Sequence, residues 1–120
     1  MTLKYILIVE DDTNLGNIYS LSLEHVGYET TLNRDGRDLC AMIVERRPDL
    51  LILDMHVPFS WGPETINKLR AKPEFADLKI LVTTADIVVG HSLEREGERV
   101  LIKPVQVAHL VKVVEELLEA

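Results

Sequence analysis

Five residues of this chain carry side chains suited to chemistry on a phosphoryl group. Glu10 and Asp11 follow one apolar run, and Asp54 ends another. Thr84 and Lys103 stand at the ends of two further runs. Carboxylates that gather at one place repel each other and bind a hard divalent cation, for which Mg²⁺ is the default expectation. A carboxylate nucleophile, a cation, a lysine and a hydroxyl suit phosphoryl transfer, because the cation and the lysine neutralise charge on the phosphoryl oxygens.

The elements that must position these residues alternate along the chain. Apolar or β-rich runs predict five strands, over residues 5–9, 28–32, 49–54, 78–84 and 99–102. Helical periodicity predicts five helices, over residues 13–26, 35–47, 63–71, 87–96 and 105–119. This alternation indicates an α/β fold, with one parallel sheet and helices on both of its faces. The carboxyl ends of parallel strands meet at one edge, where ligands bind, so the chemical residues are predicted to converge there.

The bulk properties exclude several classes of protein. The net charge of −7 over 120 residues argues against direct binding to nucleic acid, which requires clustered Lys and Arg. Apolar runs are too short for a membrane span or a signal peptide, so we expect a cytoplasmic protein without membrane contact. Cys40 is the only cysteine, which excludes an internal disulfide. The length fits a single domain over residues 1–120.

Short motifs extend the pattern beyond these five residues. They are ILIVEDD, DLLILDMHVP, Gly62, LVTTA and IKP, in this order. Through them the chain resembles, along essentially its whole length, the receiver domain of a two-component response regulator. The resemblance implies a doubly wound, flavodoxin-like (βα)5 fold with five parallel strands in the order 2-1-3-4-5. It also implies a phosphorylation-dependent switch of a two-component or phosphorelay system, which catalyses only its own phosphorylation and dephosphorylation and is not a conventional turnover enzyme.

The resemblance also implies partners and a metal. The phosphoryl group would come from a sensor histidine kinase or a phosphotransfer protein. The output would be a downstream target protein or an effector domain outside this chain, and a homodimer is left open. Asp54 matches the phosphoacceptor. Glu10, Asp11, Asp54 and the backbone carbonyl of His56 match the ligands of Mg²⁺.

Other positions match residues that act on the phosphoryl group. Thr84 matches the hydroxyl residue that moves toward that group, and Lys103 matches the lysine that pairs with one of its oxygens. Pro104 follows, as is usual in the family, and an unusual peptide geometry is expected before it. His56 and Asp86 match two positions that tune hydrolysis, and we predict that they control the access of water to phosphorus.

The chain departs from the family pattern at two places. Val100 stands three positions before Lys103, where the family usually has an aromatic residue. The interval from Thr84 to Lys103 is also a few residues shorter than is usual in the family. The fourth helix is therefore expected to be short, shifted or partly unwound. Phe59 and Trp61 replace a common glycine and a common aspartate after the phosphoacceptor. They either pack over the third helix or form an apolar contact patch.

Two other functions compete with the switch. The first is a receiver-like module that binds proteins without being phosphorylated. The departures at Val100 and in the fourth helix favour it slightly, whereas the intact set of Glu10, Asp11, Asp54, Thr84 and Lys103 argues strongly against it. The second is a phosphohydrolase with an aspartate nucleophile, but enzymes of the haloacid dehalogenase type need a second aspartate where this chain has His56. Dinucleotide binding is excluded, because the first strand leads to acids instead of a glycine-rich turn.

Overall fold

The computed structural model describes residues 2–119, and its central feature is a five-stranded parallel sheet. The strands are β1 (Tyr5–Val9), β2 (Glu29–Asn33), β3 (Leu50–Asp54), β4 (His56–Val57), β5 (Ser60–Trp61), β6 (Ile80–Thr84) and β7 (Arg99–Ile102). The helices are α1 (Thr13–His25), α2 (Leu39–Glu45), α3 (Gly62–Arg70), α4 (Ile87–Arg95) and α5 (Val107–Glu119), with a 3-10 turn at Pro73–Phe75. The sheet order β2-β1-β3-β6-β7 confirms the predicted order, since β4 and β5 pair only with each other.

The central strands β1, β3 and β6 are buried over their whole length, which explains the apolar runs that they contain before their polar carboxyl ends. Successive residues point to opposite faces of the sheet. Ile52 and Leu81 pack in one core with residues of α1 and α5. Leu53 and Val82 pack in a second core with residues of α2, α3 and α4. The sheet is therefore packed between two apolar cores, and this packing positions the polar residues at the carboxyl ends of the strands.

The second helix begins later than the sequence predicted. Its observed range is Leu39–Glu45, whereas helical periodicity predicted residues 35–47. Gly36 and Asp38 have positive φ angles of 82° and 55°, which a right-handed helix cannot contain. The side chain of Asn33 accepts a hydrogen bond from the Gly36 amide at 2.8 Å and holds this loop. The predicted start was wrong because a turn with positive φ at Gly36 and Asp38, held by Asn33 at the end of β2, precedes the helix.

The fourth helix is regular. It has nine residues, as many as α3, against seven in α2 and thirteen in α1 and in α5. The Asp86 carboxylate accepts a hydrogen bond from the Val89 amide at 3.0 Å and caps its start. A short helix was expected, and partial unwinding is not observed. None of the helices within residues 2–119 has the length and apolar character needed to cross a bilayer.

Gly36 is predicted to be a position where alanine strongly destabilises the fold. A Cβ atom there would lie 2.7 Å from the Ser60 Cβ and 2.8 Å from the Val57 Cγ2. Gly97 is the matched control, because its φ of 95° is also positive but, within residues 2–119, no atom beyond its two chain neighbours lies within 4 Å of an added Cβ. Gly97→Ala should lower the free energy of unfolding by about 1 kcal/mol, through backbone strain alone. Gly36→Ala should lower it by about 1–3 kcal/mol more, because the added Cβ also overlaps its neighbours. Urea unfolding measures both, and equal losses would contradict the steric argument.

Candidate functional site

The residues that the sequence predicted to form a functional site lie together at the carboxyl edge of the sheet. Glu10 directly follows β1, Asp54 ends β3, Thr84 ends β6 and Lys103 directly follows β7. The Lys103 Nζ lies 2.9 Å from an oxygen of Glu10 and 3.2 Å from an oxygen of Asp54. These contacts join residues that are 93 and 49 positions apart in the sequence. The predicted convergence of the two carboxylates and the lysine is therefore observed. The Lys103–Pro104 peptide bond is cis.

One lysine lies between two buried carboxylates. The side chains of Glu10 and Asp54 are 2% and 6% exposed, and that of Lys103 is 22% exposed. The pKa of Glu10 is raised to about 7, chiefly by burial and also by the neighbouring Asp54, against the opposing effects of Lys103 and of the Asp12 amide. Burial by itself would lower the pKa of Lys103, but its contacts with Glu10 and Asp54 outweigh burial and raise it. With both carboxylates ionised, the group carries an excess negative charge that a second cation would balance.

The carboxylates of the site form a cluster suited to a divalent cation. One carboxylate oxygen from each of Glu10, Asp11 and Asp54 lies within 4.8 Å of the others. Asp11 is exposed, whereas Glu10 and Asp54 are buried, so the cluster opens to solvent on one side. Such an all-oxygen donor set fits a hard cation. The His56 amide donates a 3.3 Å hydrogen bond to Asp54, which places the next loop directly beside the cluster.

Thr84 connects the ends of β6 and β7. The residue is fully buried, and its carbonyl accepts a 2.8 Å hydrogen bond from the Lys103 amide. Its hydroxyl oxygen accepts a 3.0 Å hydrogen bond from the Asp86 amide. A hydroxyl that accepts one hydrogen bond keeps its own proton for donation. The position of Thr84 thus fits a residue that donates to another oxygen at this edge, while the Asp86 side chain caps α4.

A small hairpin beside the cluster was not predicted. Strands β4 and β5 pair antiparallel, with His56 opposite Trp61 and Val57 opposite Ser60. The rings of His56 and Trp61 have centroids 5.0 Å apart and are tilted by 53°. Strands of two residues are too short for a periodic pattern, and the turn lacks the Asn-Gly or Asp-Gly signal of a hairpin. The two prolines and the bulky aromatic residues were the only signals that this loop is ordered.

Phe59 and Trp61 are both substantially exposed. Phe59 is 57% exposed and has the Arg37 guanidinium 4.3 Å from its ring centroid. Trp61 is 45% exposed and contacts His56. Their rings therefore pack on a cation and on an imidazole at the surface.

Sequence comparison settles the family of the chain. The family model described as the response regulator receiver domain matches residues 6–115. The chain belongs to the response regulator receiver domain family. The matched range contains Glu10, Asp11, Asp54, Thr84 and Lys103.

Relatives of this receiver domain include transcriptional regulators. It is 30% identical over 101 residues to the transcriptional regulatory protein AfsQ1 of Streptomyces coelicolor, covering 84% of this chain and 45% of the relative. It is 32% identical over 108 residues to the DNA-binding response regulator MtrA of Mycobacterium tuberculosis, covering 88% and 46%. The receiver domain thus spans less than half the length of these relatives.

Solved structures give the same family. The chemotaxis response regulator CheY4 of Vibrio cholerae is similar with a TM-score of 0.86 and 25% identity, over 97% of this chain and 99% of that one. The signal receiver domain of a signal transduction histidine kinase from Syntrophus aciditrophicus has a TM-score of 0.85 and 30% identity, over 97% and 90%. Similar folds therefore occur both in response regulators and within histidine kinases.

Proposed function

We propose that this receiver domain is a phosphorylation-dependent switch that accepts a phosphoryl group on Asp54. The observation that carries the proposal is the buried Asp54 carboxylate, 3.2 Å from the Lys103 Nζ and within the acidic cluster. The donor would be a phosphohistidine of a sensor histidine kinase or of a phosphotransfer protein. The output would be a target protein or an effector domain outside this chain.

The proposed reaction transfers one phosphoryl group between two side chains. An oxygen of the Asp54 carboxylate forms a bond to phosphorus while the bond from phosphorus to the donor's imidazole nitrogen breaks. The released imidazole keeps the electron pair of that bond and takes up a proton. The Lys103 ammonium, already held by Glu10 and Asp54, pairs with a phosphoryl oxygen. The buried Thr84 hydroxyl donates to another phosphoryl oxygen once the group is in place.

Mg²⁺ is the proposed cofactor. The carboxylates of Glu10, Asp11 and Asp54 would hold it, together with the backbone carbonyl of His56. When bound, Mg²⁺ neutralises charge on the phosphoryl oxygens, which is its usual contribution to phosphoryl transfer. The donor set supports this choice, because Mg²⁺ accepts a few carboxylates and retains several waters.

Binding of Mg²⁺ is predicted to strengthen as the pH rises through neutrality. A proton on Glu10 competes with the metal, and the pKa of Glu10 is raised from 4.5 to about 7. Glu10 is therefore mostly protonated near pH 6 and mostly ionised near pH 8, so the affinity should rise about tenfold across this interval. Isothermal titration calorimetry at several pH values measures the affinity for Mg²⁺. The Glu10→Gln variant should bind Mg²⁺ more weakly and lose this pH dependence, and a retained dependence would contradict the assignment to Glu10.

Incubation with acetyl phosphate and Mg²⁺ tests the proposed switch. The expected result is a gain of one phosphoryl group in the intact mass of the protein. The competing function, a protein-binding module that is not phosphorylated, predicts no adduct and no Mg²⁺ binding. The buried contacts of Lys103 with both carboxylates favour the switch, because a purely binding surface has no need of them.

His56 and Asp86 are proposed to tune the lifetime of the phosphoryl group by controlling the access of water. The amide of His56 contacts the Asp54 carboxylate, so its side chain begins at the edge of the pocket. The amide of Asp86 contacts the Thr84 hydroxyl on the other side. The carboxylate of Asp86 also caps α4. Self-phosphorylation and self-dephosphorylation are then the only reactions we assign to the domain.

A further inference from the structure

Trp61 contacts the side chain two positions beyond the proposed phosphoacceptor. Trp61 and His56 lie directly opposite each other in the β4–β5 hairpin. Opposite residues of an antiparallel pair project from the same face, which explains why their ring centroids are only 5.0 Å apart. The indole therefore occupies part of the space into which the imidazole could otherwise rotate.

The hairpin that carries this pair is attached directly to the site. The Met55 carbonyl accepts a 3.0 Å hydrogen bond from the Gly62 amide and closes the base of the hairpin. The His56 amide donates to the Asp54 carboxylate at 3.3 Å. Met55 is fully buried, so the base of the hairpin is fixed in the core. These hydrogen bonds tie the hairpin that carries Trp61 to the segment that carries Asp54.

We propose that Trp61 is a positioning residue for hydrolysis of the phosphoryl group, because its indole keeps the His56 imidazole across the path of water to phosphorus. The inference rests on the proposed function. In hydrolysis, the water oxygen bonds to phosphorus while the bond from phosphorus to the Asp54 oxygen breaks. Asp54 recovers its carboxylate, and inorganic phosphate and a proton pass to solvent. Removal of the indole frees the imidazole, opens the path and shortens the lifetime of the adduct.

The rate of dephosphorylation tests the role of Trp61. The protein is phosphorylated with acetyl phosphate and Mg²⁺, the donor is removed by gel filtration, and loss of the adduct is followed by intact mass. Trp61→Ala should lose the phosphoryl group on the order of two to ten times faster, the range that one aromatic contact supports. Trp61→Leu, which keeps apolar bulk without a ring, should lose the phosphoryl group about as fast as Trp61→Ala. Trp61→Phe retains a ring for the contact and should stay within about a factor of two of the original rate.

Phe59→Ala is the matched control. Its ring is in the same hairpin and similarly exposed, but it packs on Arg37 instead of His56. This variant should keep the original rate of dephosphorylation. A general loosening of the hairpin would accelerate Phe59→Ala and Trp61→Ala alike, which would overturn the assignment to the His56 contact.

A double-mutant cycle separates action through His56 from a direct effect. In a His56→Ala background, Trp61→Ala should produce no further acceleration. An equal acceleration in both backgrounds, or an unchanged rate in Trp61→Ala, would overturn the inference while the proposed function stands. Absence of an adduct in the unmodified protein would instead refute the proposed function, and the inference with it.

Discussion

Asp54→Asn is expected to abolish the phosphate adduct that forms with acetyl phosphate and Mg²⁺. An amide lacks the anionic oxygen that attacks phosphorus. The variant should still fold, because Lys103 keeps its 2.9 Å contact with Glu10. Intact-mass measurement of the incubated protein provides the test, and complete loss of the adduct is expected.

Asp12→Asn is the appropriate control for this experiment. Asp12 lies at the same edge of the sheet, and its carboxylate accepts a 3.0 Å hydrogen bond from the Leu15 amide at the start of α1. Asparagine caps helices about as well as aspartate, so the variant removes a nearby charge with little structural effect. It should retain the adduct. An adduct that persists in Asp54→Asn would assign the acceptor to another carboxylate, with the exposed Asp11 as the first candidate.

Lys103→Met is expected to destabilise the protein strongly above neutral pH. The change leaves the carboxylates of Glu10 and Asp54 buried without their cation. Breaking a buried ion pair by removing one partner typically costs about 3–5 kcal/mol. The pKa of Lys103 is raised, so the lysine is charged and stabilising throughout the pH range in which Glu10 titrates. Urea unfolding at several pH values, with and without Mg²⁺, measures the effect.

The pH dependence of this loss follows from Glu10. Its pKa is raised to about 7, so well below neutrality Glu10 holds a proton and needs no counter-charge. The lost free energy of unfolding should therefore be smaller near pH 5.5 than near pH 8, where Glu10 is ionised. Added Mg²⁺ should restore part of the stability near pH 8, because it supplies the missing positive charge.

Two variants complete the test of Lys103. Lys103→Arg keeps the charge and should lose much less stability. Lys68→Met removes the same side chain from an exposed pair with Glu64, in which both side chains are more than 60% exposed. Such a surface pair contributes about 0–1 kcal/mol, so this variant should unfold almost as the original protein does. A loss of stability at Lys103 that is equal at both pH values would contradict the proposed coupling to Glu10.

The sequence by itself determined the fold and most of the site. Uninterrupted apolar runs that alternate with helical periodicity are sufficient to predict a parallel sheet covered on both faces. The carboxyl ends of such strands share one edge, so Glu10, Asp54 and Lys103 could be placed together before any distance was known. The order of the five long strands agreed with the observed order. The proposed roles of these residues stay predictions until the phosphate adduct is measured.

Only the tertiary structure decided the details that depend on contacts between distant segments. The loop before α2 is held from a distant segment by the Phe59 amide, which donates a 2.8 Å hydrogen bond to the Asp35 carbonyl. The raised pKa of Glu10 depends on burial and on two residues far away in the sequence. The contact of Trp61 with His56 depends on pairing between two-residue strands, which have no periodic signal. Periodicity reports which face of an element is buried, whereas the partner of a given side chain is determined when the elements pack together.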